Sequence, residues 1–148
     1  EDETAAAILS LMENQKLVAE GAGAVPVAAA LFHKLPIEGK KVVCVISGGN
    51  IDVNILSRVI TRGLVMSGRK ANLTIALEDK PGQLQRVAEI VSRCGSNVVS
   101  VLHDGSDPNM PISSCFLKLT LETRDAVQIE QIRAELTKEG FQLVSERV

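Results

Sequence analysis

The chain has 148 residues, of which 45% are hydrophobic and 23% are charged, a composition typical of a globular protein with one or two small cores. The formal net charge is −2 with acidic and basic residues interspersed, so neither nucleic acid nor a membrane surface is an expected partner. Trp and Tyr are absent and only three Phe are present, which argues against the aromatic platform of an RNA-recognition sheet.

The cysteines and the apolar segments indicate the compartment. Cys44, Cys94 and Cys115 lie far apart and form no C-x-x-C pair, so we expect no metal site and no disulfide framework. Cys44 and Cys115 fall in apolar patterns, which predicts buried thiols. No apolar run is long enough to span a bilayer and no signal peptide is visible, so we expect a cytoplasmic protein.

The sequence of residues 1–68 predicts three helices, one short strand and one strand of the buried type. Apolar spacing indicates helices at 1–13, 25–33 and 52–61, with a short strand at 16–19. The run KVVCVI at 41–46 is typical of a strand buried on both faces of an α/β sheet. A single strand of this kind needs partner strands, so the segment is expected to be an incomplete piece of a larger α/β domain. Gly63 and Gly68 bracket a predicted linker.

The stretch from Leu73 to Val101 predicts a strand, a helix and a second strand. Leu73, Ile75 and Leu77 alternate as in a strand, and the polar turn at 78–82 follows. Apolar residues then recur at helical spacing from 84 to 94, before a strand at 98–101. Because the first N–H groups of a helix have no intrahelical acceptors, the turn is a candidate site for a carboxylate.

The remaining residues complete a βαββαβ pattern. A polar loop at 103–110 precedes a strand at 112–123, in which Cys115, Leu117, Leu119 and Leu121 share one face. Asp125 is a candidate cap for a second helix, with Ile129, Ile132 and Leu136 facing inward. A final strand is expected from Phe141, Leu143 and Ser145. The predicted class is therefore α+β, with a ferredoxin-like domain at 69–148.

Three features of this second part resemble the ACT domain, a regulatory module that binds amino acids. They are the turn Asp79-Lys80-Pro81-Gly82, the helix from Leu84 to Cys94, and Gly95-Ser96-Asn97-Val98. The resemblance implies an effector site where two copies meet, and hence at least a dimer. The implied effector-binding residues are Asp79, Pro81, Gly82, Gln83, Leu84 and Asn97. From the residues alone, Pro81-Gly82 is also explained as an ordinary turn.

Two glycine-rich segments of the first part resemble the end of the catalytic domain of threonine and serine dehydratases. These pyridoxal-phosphate enzymes of fold type II carry segments similar to E-G-A-G-A at 20–24 and S-G-G-N at 47–50. The resemblance implies that Ser47 bonds the pyridine nitrogen of the cofactor and that Glu20 lies near it. The implied cofactor-binding residues are Ser47, Gly48, Gly49, Asn50 and Glu20. Gly21 departs from the proline often found there, and S-G-G-N alone is also explained as a strand-to-helix turn.

The reaction of these enzymes also requires a lysine that binds the cofactor covalently and a loop that binds its phosphate. Their Schiff-base lysine lies in an S-x-K-x-R-G type segment and their phosphate cup is a glycine-rich loop, and neither occurs in this sequence. Lys70 does not match that lysine. The chain alone is therefore expected to be catalytically inactive and to bind no pyridoxal phosphate. His33 and His103 have no nucleophile near them in sequence and receive no role.

Together, the resemblances imply the C-terminal, amino-acid-binding part of a threonine dehydratase, with residues 1–68 as the remnant of its catalytic domain. Such an enzyme converts L-threonine to 2-oxobutanoate and ammonia. The expected partners are an amino-acid effector and further copies of the chain. One alternative is a free-standing amino-acid-binding or dimerisation module, and another is a structural subunit that binds no ligand. The sequence does not decide which amino acid is the effector.

Overall fold

The computed structural model describes residues 1–108 and 110–144. The chain divides into two compact units, Glu1–Met66 and Ser67–Val148. We call them the helical unit and the sheet unit. Among the described residues, no helix is both long enough and apolar enough to cross a membrane.

The helical unit consists of three helices around a small alanine-rich core. Helix α1 (Asp2–Ser10) continues into a π-helical turn at Leu11–Gln15, and α2 (Gly21–Leu31) and α3 (Val53–Met66) follow. Helix α1 packs against both α2 and α3. The buried core residues are Ala7, Ile8, Leu11, Ala19, Ala24 and Ala28. Small side chains allow close helix packing but bury little apolar area, so this core is a modest source of stability.

Two strands predicted in the helical unit are absent from the structure, and these predictions were wrong. Residues 41–46 form no strand, and Val43 and Val45 are 88% and 71% exposed. Residues 16–19 also form no strand, and Lys16 adopts a left-handed conformation with φ of 57°. A strand requires a hydrogen-bonded neighbour, and the helical unit offers none to either segment. The β-branched run is thus left with its apolar side chains largely in solvent.

The predicted linker start at Gly63 was also wrong. Gly63 lies inside α3 and is buried, and an added Cβ there would lie 2.6 Å from Leu9 Cδ2. A larger residue at this position would therefore require the buried Leu9 side chain of α1 to move. Helix α3 therefore continues five residues beyond the predicted end at Thr61.

The sheet unit has the predicted βαββαβ order. Its elements are β1 (Lys70–Glu78), α4 (Gln83–Arg93), β2 (Asn97–Asp104), β3 (Ser114–Glu122), α5 (Ala126–Lys138) and β4 (Gln142–Val144). The four strands form one sheet in the order β2-β3-β1-β4, in which β3 is antiparallel to both β1 and β2. This is the ferredoxin-like arrangement, as predicted. Ser145, assigned by sequence to the last strand, lies outside the described residues.

The main core lies between the sheet and helices α4 and α5. The register pairs Leu73 with Leu119, Ile75 with Leu117 and Leu77 with Cys115, so their side chains share one face. Of these residues, all but the half-buried Leu77 are at most 3% exposed. The predicted alternation of β3 is confirmed.

The second helix of the sheet unit is fixed at its start by polar contacts. As predicted, Asp125 caps α5, accepting a hydrogen bond from Gln128 N–H at 2.8 Å. Gln128 is only 1% exposed, and its side chain donates to Cys94 O and accepts from Arg124 N–H, both at 2.7 Å. This buried amide joins the ends of α4 and α5 with no unsatisfied group.

Candidate functional site

The turn between β1 and α4 leaves the start of the helix open. Gly82 is the N-cap residue with φ of 88°, and no side chain caps the helix in the described structure. The first hydrogen bond of the helix runs from Arg86 N–H to Gly82 O at 3.1 Å. The N–H groups of Leu84 and Gln85 precede that bond and therefore lack intrahelical acceptors. Such N–H groups and the helix dipole favour an anion such as a carboxylate.

A cavity of about 500 Å³ lies beside this helix start. The residues that line it come from β1, α4, the loop before β3, and the end of α5. They are Ala76, Leu77, Glu78, Gln83, Arg86, Met110, Pro111, Ser114, Glu139, Gly140, Phe141 and Gln142. The volume falls within the range of small-molecule sites, and its lining is a mixture of apolar groups and charges of both signs.

Gln83 and Arg86 are two of the polar side chains that line the cavity. The Oε1 atom of Gln83 is buried and has no hydrogen-bond partner among the described residues. The guanidinium of Arg86 lies over the ring of Phe141, 5.1 Å from its centroid, and donates to Glu139 O at 3.4 Å. A buried, unpaired acceptor is costly, so Gln83 would gain from a ligand that donates a hydrogen bond.

The predicted effector residues divide into two groups. Asp79, Pro81, Gly82, Gln83 and Leu84 lie together in the turn and the first helical turn. Asn97 begins β2 and lies at the opposite end of the sheet, about 25 Å away at 3.3 Å per strand residue. Its side chain donates to Glu122 Oε2 at 3.1 Å. Within one chain, Asn97 therefore cannot contact a ligand held by the turn.

Sequence reasoning gave no role to His103, yet the fold brings it to the turn. His103 Nε2 lies 3.2 Å from Asp79 Oδ1, and Cys115 Sγ lies in the same cluster, within 4.8 Å of both ligand atoms. Asp79 and His103 are exposed, whereas Cys115 is fully buried. Burial, and secondarily the charge of Asp79, raise the pKa of the Cys115 thiol. The predicted strand order could have revealed this proximity. Strands β1 and β2 run parallel, so both finish at the same end of the sheet.

The neighbouring carboxylate, Asp104, is already occupied. It accepts hydrogen bonds from Ser106 Oγ at 2.6 Å and from Lys118 Nζ at 2.9 Å. The Ser106 hydrogen bond and then that of Lys118 hold the pKa of the Asp104 carboxyl well below its usual range. The Asp104 carboxylate is therefore already paired within the sheet unit.

The glycine-rich segments of the helical unit pack directly against each other. Glu20 N–H donates to Gly48 O at 3.0 Å. An added Cβ at Gly48 would lie 2.5 Å from Glu20 Oε1, and one at Gly23 would lie 2.7 Å from Gly48 O. Glycine is therefore required at position 23, where the neighbour is backbone, whereas a side chain at position 48 would require the Glu20 side chain to move. The fold thus brings together two segments that are about twenty-five residues apart in the sequence.

The predicted cofactor residues are only partly gathered around a cavity. A cavity of about 680 Å³ in the helical unit is lined in part by Glu20 and Asn50, but not by Ser47, Gly48 or Gly49. Ser47 is exposed and follows the solvent-exposed run at 41–46. Of the groups that pyridoxal phosphate needs, the unit contains the Ser47 hydroxyl and the Glu20 carboxylate, and the sequence has no matching lysine or phosphate loop.

The strand order makes the sheet unit a small ferredoxin-like domain, the class of fold to which ACT domains belong, and the open start of α4 is its candidate ligand site. Comparison of the sequence with known proteins shows which proteins it is similar to. The chain is 49% identical over 143 residues to an L-threonine ammonia-lyase of Thermotoga maritima. It is 41% identical over 141 residues to an L-threonine ammonia-lyase of Geobacter sulfurreducens. Over almost its whole length, the chain is therefore similar to one part of two L-threonine ammonia-lyases.

These matches cover 97% and 95% of this chain but 35% of each relative, so the chain spans about a third of their length. A biosynthetic L-threonine dehydratase of Lactococcus lactis is 42% identical over 78 residues, which is 53% of this chain and 19% of that protein. No family model matches the chain. A solved structure, the ACT domain from a GTP pyrophosphokinase of Chlorobium tepidum, aligns with 51% of this chain and 96% of its own at a TM-score of 0.39 and 15% identity.

Proposed function

We propose that the chain is the amino-acid-sensing part of a threonine dehydratase that converts L-threonine to 2-oxobutanoate and ammonia. The observation that carries the sensing role is the uncapped start of α4 beside a cavity that holds an unpaired buried acceptor. The identity of the relatives, which are named L-threonine ammonia-lyases, supports the parent activity.

The turn and the cavity carry complementary groups for the two charges of an amino acid. The N–H groups at the helix start and the Arg86 guanidinium suit the carboxylate. The Gln83 Oε1 and the carboxylates of Glu78 and Glu139 suit the ammonium. The apolar lining from Leu77 and Phe141 suits an aliphatic side chain.

A second copy of the chain is the proposed source of the remaining effector residue. Strand β2 is an edge of the sheet, and Val99, Val101 and Leu102 are 50%, 43% and 57% exposed. An unpaired, apolar edge favours pairing with another strand. Antiparallel pairing of two β2 strands would place the partner's Asn97 beside Asp104, at the end of the sheet where the turn lies. The proposed dimer would thus complete the effector site.

In the parent enzyme, Ser47 is proposed to bond the pyridine nitrogen of pyridoxal phosphate, with Glu20 nearby. The cofactor supplies the electron sink for elimination, and the protein supplies binding and orientation. A neutral hydroxyl at that nitrogen would leave it largely unprotonated, so the cofactor ring would withdraw electrons less strongly. Effector binding would alter activity only if the effector binds two states of the oligomer with different affinity.

The alternative, a free-standing module that does not derive from an enzyme, is disfavoured. The match to the Thermotoga maritima relative covers 143 residues and leaves only five residues of this chain outside it. The match therefore includes most of the helical unit.

A cytoplasmic location is proposed from the three cysteines, all of which are free thiols, as expected in a reducing compartment.

The test of the effector site is calorimetric binding of single amino acids to variants of the cavity. Arg86→Gln and Gln83→Ala should each weaken binding at least tenfold, about 1.4 kcal/mol. Arg93→Gln and Gln85→Ala are matched controls on the same helix, since Arg93 also bonds Glu139 and neither residue lines the cavity. Equal loss in the controls, or no loss in the cavity variants, would place the binding site elsewhere.

A further inference from the structure

Three metal-ligating side chains meet at one end of the sheet unit. Strands β1 and β2 end there and β3 begins there, because β3 is antiparallel to both. Cys115 pairs with Leu77 and His103 pairs with Leu117, so both lie on the helix-covered face of the sheet. Asp79 follows Leu77 by two residues, and its N–H donates to Ser113 O at 2.8 Å, which fixes the start of the turn.

The spacing of these side chains approaches that of a tetrahedral metal site. The Oδ1 atom of Asp79 and the Nε2 atom of His103 are 3.2 Å apart, and the Sγ atom of Cys115 lies within 4.8 Å of both. With metal–ligand bonds of about 2.0–2.3 Å, neighbouring ligand atoms of a tetrahedral zinc site stand about 3.3–3.6 Å apart. The carboxylate and the imidazole already have this spacing, and the thiol needs a movement of about 1 Å at most.

We propose that Asp79, His103 and Cys115 bind a borderline-soft divalent cation, Zn²⁺, with water in the fourth position. A set of thiolate, imidazole and carboxylate selects Zn²⁺ over Mg²⁺ and Ca²⁺, which prefer oxygen ligands alone. On binding, the thiol proton passes to solvent and the sulfur ligates as thiolate. This site was missed by sequence reasoning, which looked for closely spaced cysteines.

The burial pattern fits an ion that enters from solvent. Cys115 is fully buried and provides the inner ligand, whereas Asp79 and His103 keep side-chain exposures of 55% and 52%. These two outer ligands leave a path for the ion and an open fourth position. Asp104 is held by Ser106 and Lys118 and is not available as a ligand. The alternative, an ion pair between His103 and Asp79 beside an inert thiol, requires no metal.

The test is metal binding by the 148-residue chain under reducing conditions. We expect one Zn²⁺ per chain after dialysis, measured by elemental analysis, and a thiolate-to-metal charge-transfer band when Co²⁺ replaces it. Mg²⁺ and Ca²⁺ should not compete. His103→Ala, Asp79→Asn and Cys115→Ser should each weaken Zn²⁺ binding at least tenfold. His103 and Asp79 are exposed, so these two variants remain informative if Cys115→Ser fails to fold.

Matched controls separate this site from adventitious binding. Cys94→Ser removes the other buried thiol of the sheet unit, and His33→Ala removes the second histidine of the chain. Both should bind Zn²⁺ as the unsubstituted chain does, with an unchanged Co²⁺ spectrum. The proposal is overturned if the chain retains no stoichiometric Zn²⁺, or if the His33→Ala or Cys94→Ser control loses as much affinity as the ligand variants.

Discussion

Replacement of Gly82 by alanine should separate effector binding from folding. Gly82 has φ of 88°, a conformation in which an L-residue is strained by about 1 kcal/mol or more. An added Cβ would meet no atom of the chain within 4 Å. The cost to folding is therefore conformational strain without a clash, and the fold should persist. For a unit of this size, about 1 kcal/mol corresponds to a fall of about 4–8 °C in Tm.

The same methyl group would stand at the helix start, where a carboxylate must approach the N–H groups. We expect Gly82→Ala to lower the affinity for the amino acid that stabilises the unsubstituted chain by at least tenfold, about 1.4 kcal/mol. Isothermal titration calorimetry measures the affinity, and circular dichroism measures the Tm.

Gly95→Ala is the matched control for this prediction. Gly95 follows the other end of α4 with φ of 73°, and an added Cβ would make only an ordinary contact, 3.7 Å from Gln128 Nε2. The two variants should lose similar stability, but only Gly82→Ala should lose affinity. Unchanged affinity in Gly82→Ala, with its Tm lowered as expected, would refute a carboxylate site at the start of α4.

Two further predictions concern the interiors of the two units. Gln128→Leu should destabilise the sheet unit by about 2–4 kcal/mol in urea unfolding, because the buried Cys94 carbonyl and the partly buried Arg124 N–H lose their partners. Leu at the exposed Gln131 should change stability by under about 0.5 kcal/mol, and equal effects would contradict this. Gly23→Ala should destabilise the helical unit by about 1–3 kcal/mol, because its Cβ would lie 2.7 Å from a backbone oxygen. Gly21 lies in the same helix with open space around it, so Gly21→Ala should be neutral or stabilising by up to about 1 kcal/mol in thermal unfolding. A loss of stability equal to that of Gly23→Ala would refute the packing argument.

The sheet unit could be predicted from sequence because its signals are local and mutually consistent. Alternation in β3 specified its buried face, and the Asp125 cap and the Pro81-Gly82 turn marked where α5 and α4 begin. The buried Gln128 was not predictable, because its partners lie on two elements that meet only in the folded unit. The proximity of His103 to Asp79, in contrast, follows from the predicted strand order, in which β1 and β2 finish at the same end of the sheet.

The helical unit was predicted less well for a physical reason. The run at 41–46 has the composition of a buried strand, but composition does not provide the neighbouring strands on which a strand depends. Without such neighbours, Val43 and Val45 are exposed instead of buried. Apolar residues exposed in this way are typical of a surface that another part of a protein covers. The relatives, of which the chain spans about a third, are long enough to contain such a part.

Asn97 can belong to the proposed effector site only in the proposed dimer. The resemblance grouped it with the turn, but the parallel course of β1 and β2 places the start of β2 at the other end of the sheet. Only a second copy can bring an Asn97 to the turn. The predicted strand order already implied this separation, but the resemblance to ACT domains grouped residues from more than one copy.

The central claim is that the chain binds an amino acid, and a thermal-unfolding screen against the twenty amino acids tests it most directly. A ligand at about 100 times its Kd should add about 2.7 kcal/mol, and so raise Tm by about 5–10 °C. We predict such a shift with one or a few aliphatic or hydroxylated amino acids, and its loss in Gly82→Ala but not in Gly95→Ala. No shift with any of the twenty amino acids would contradict the account.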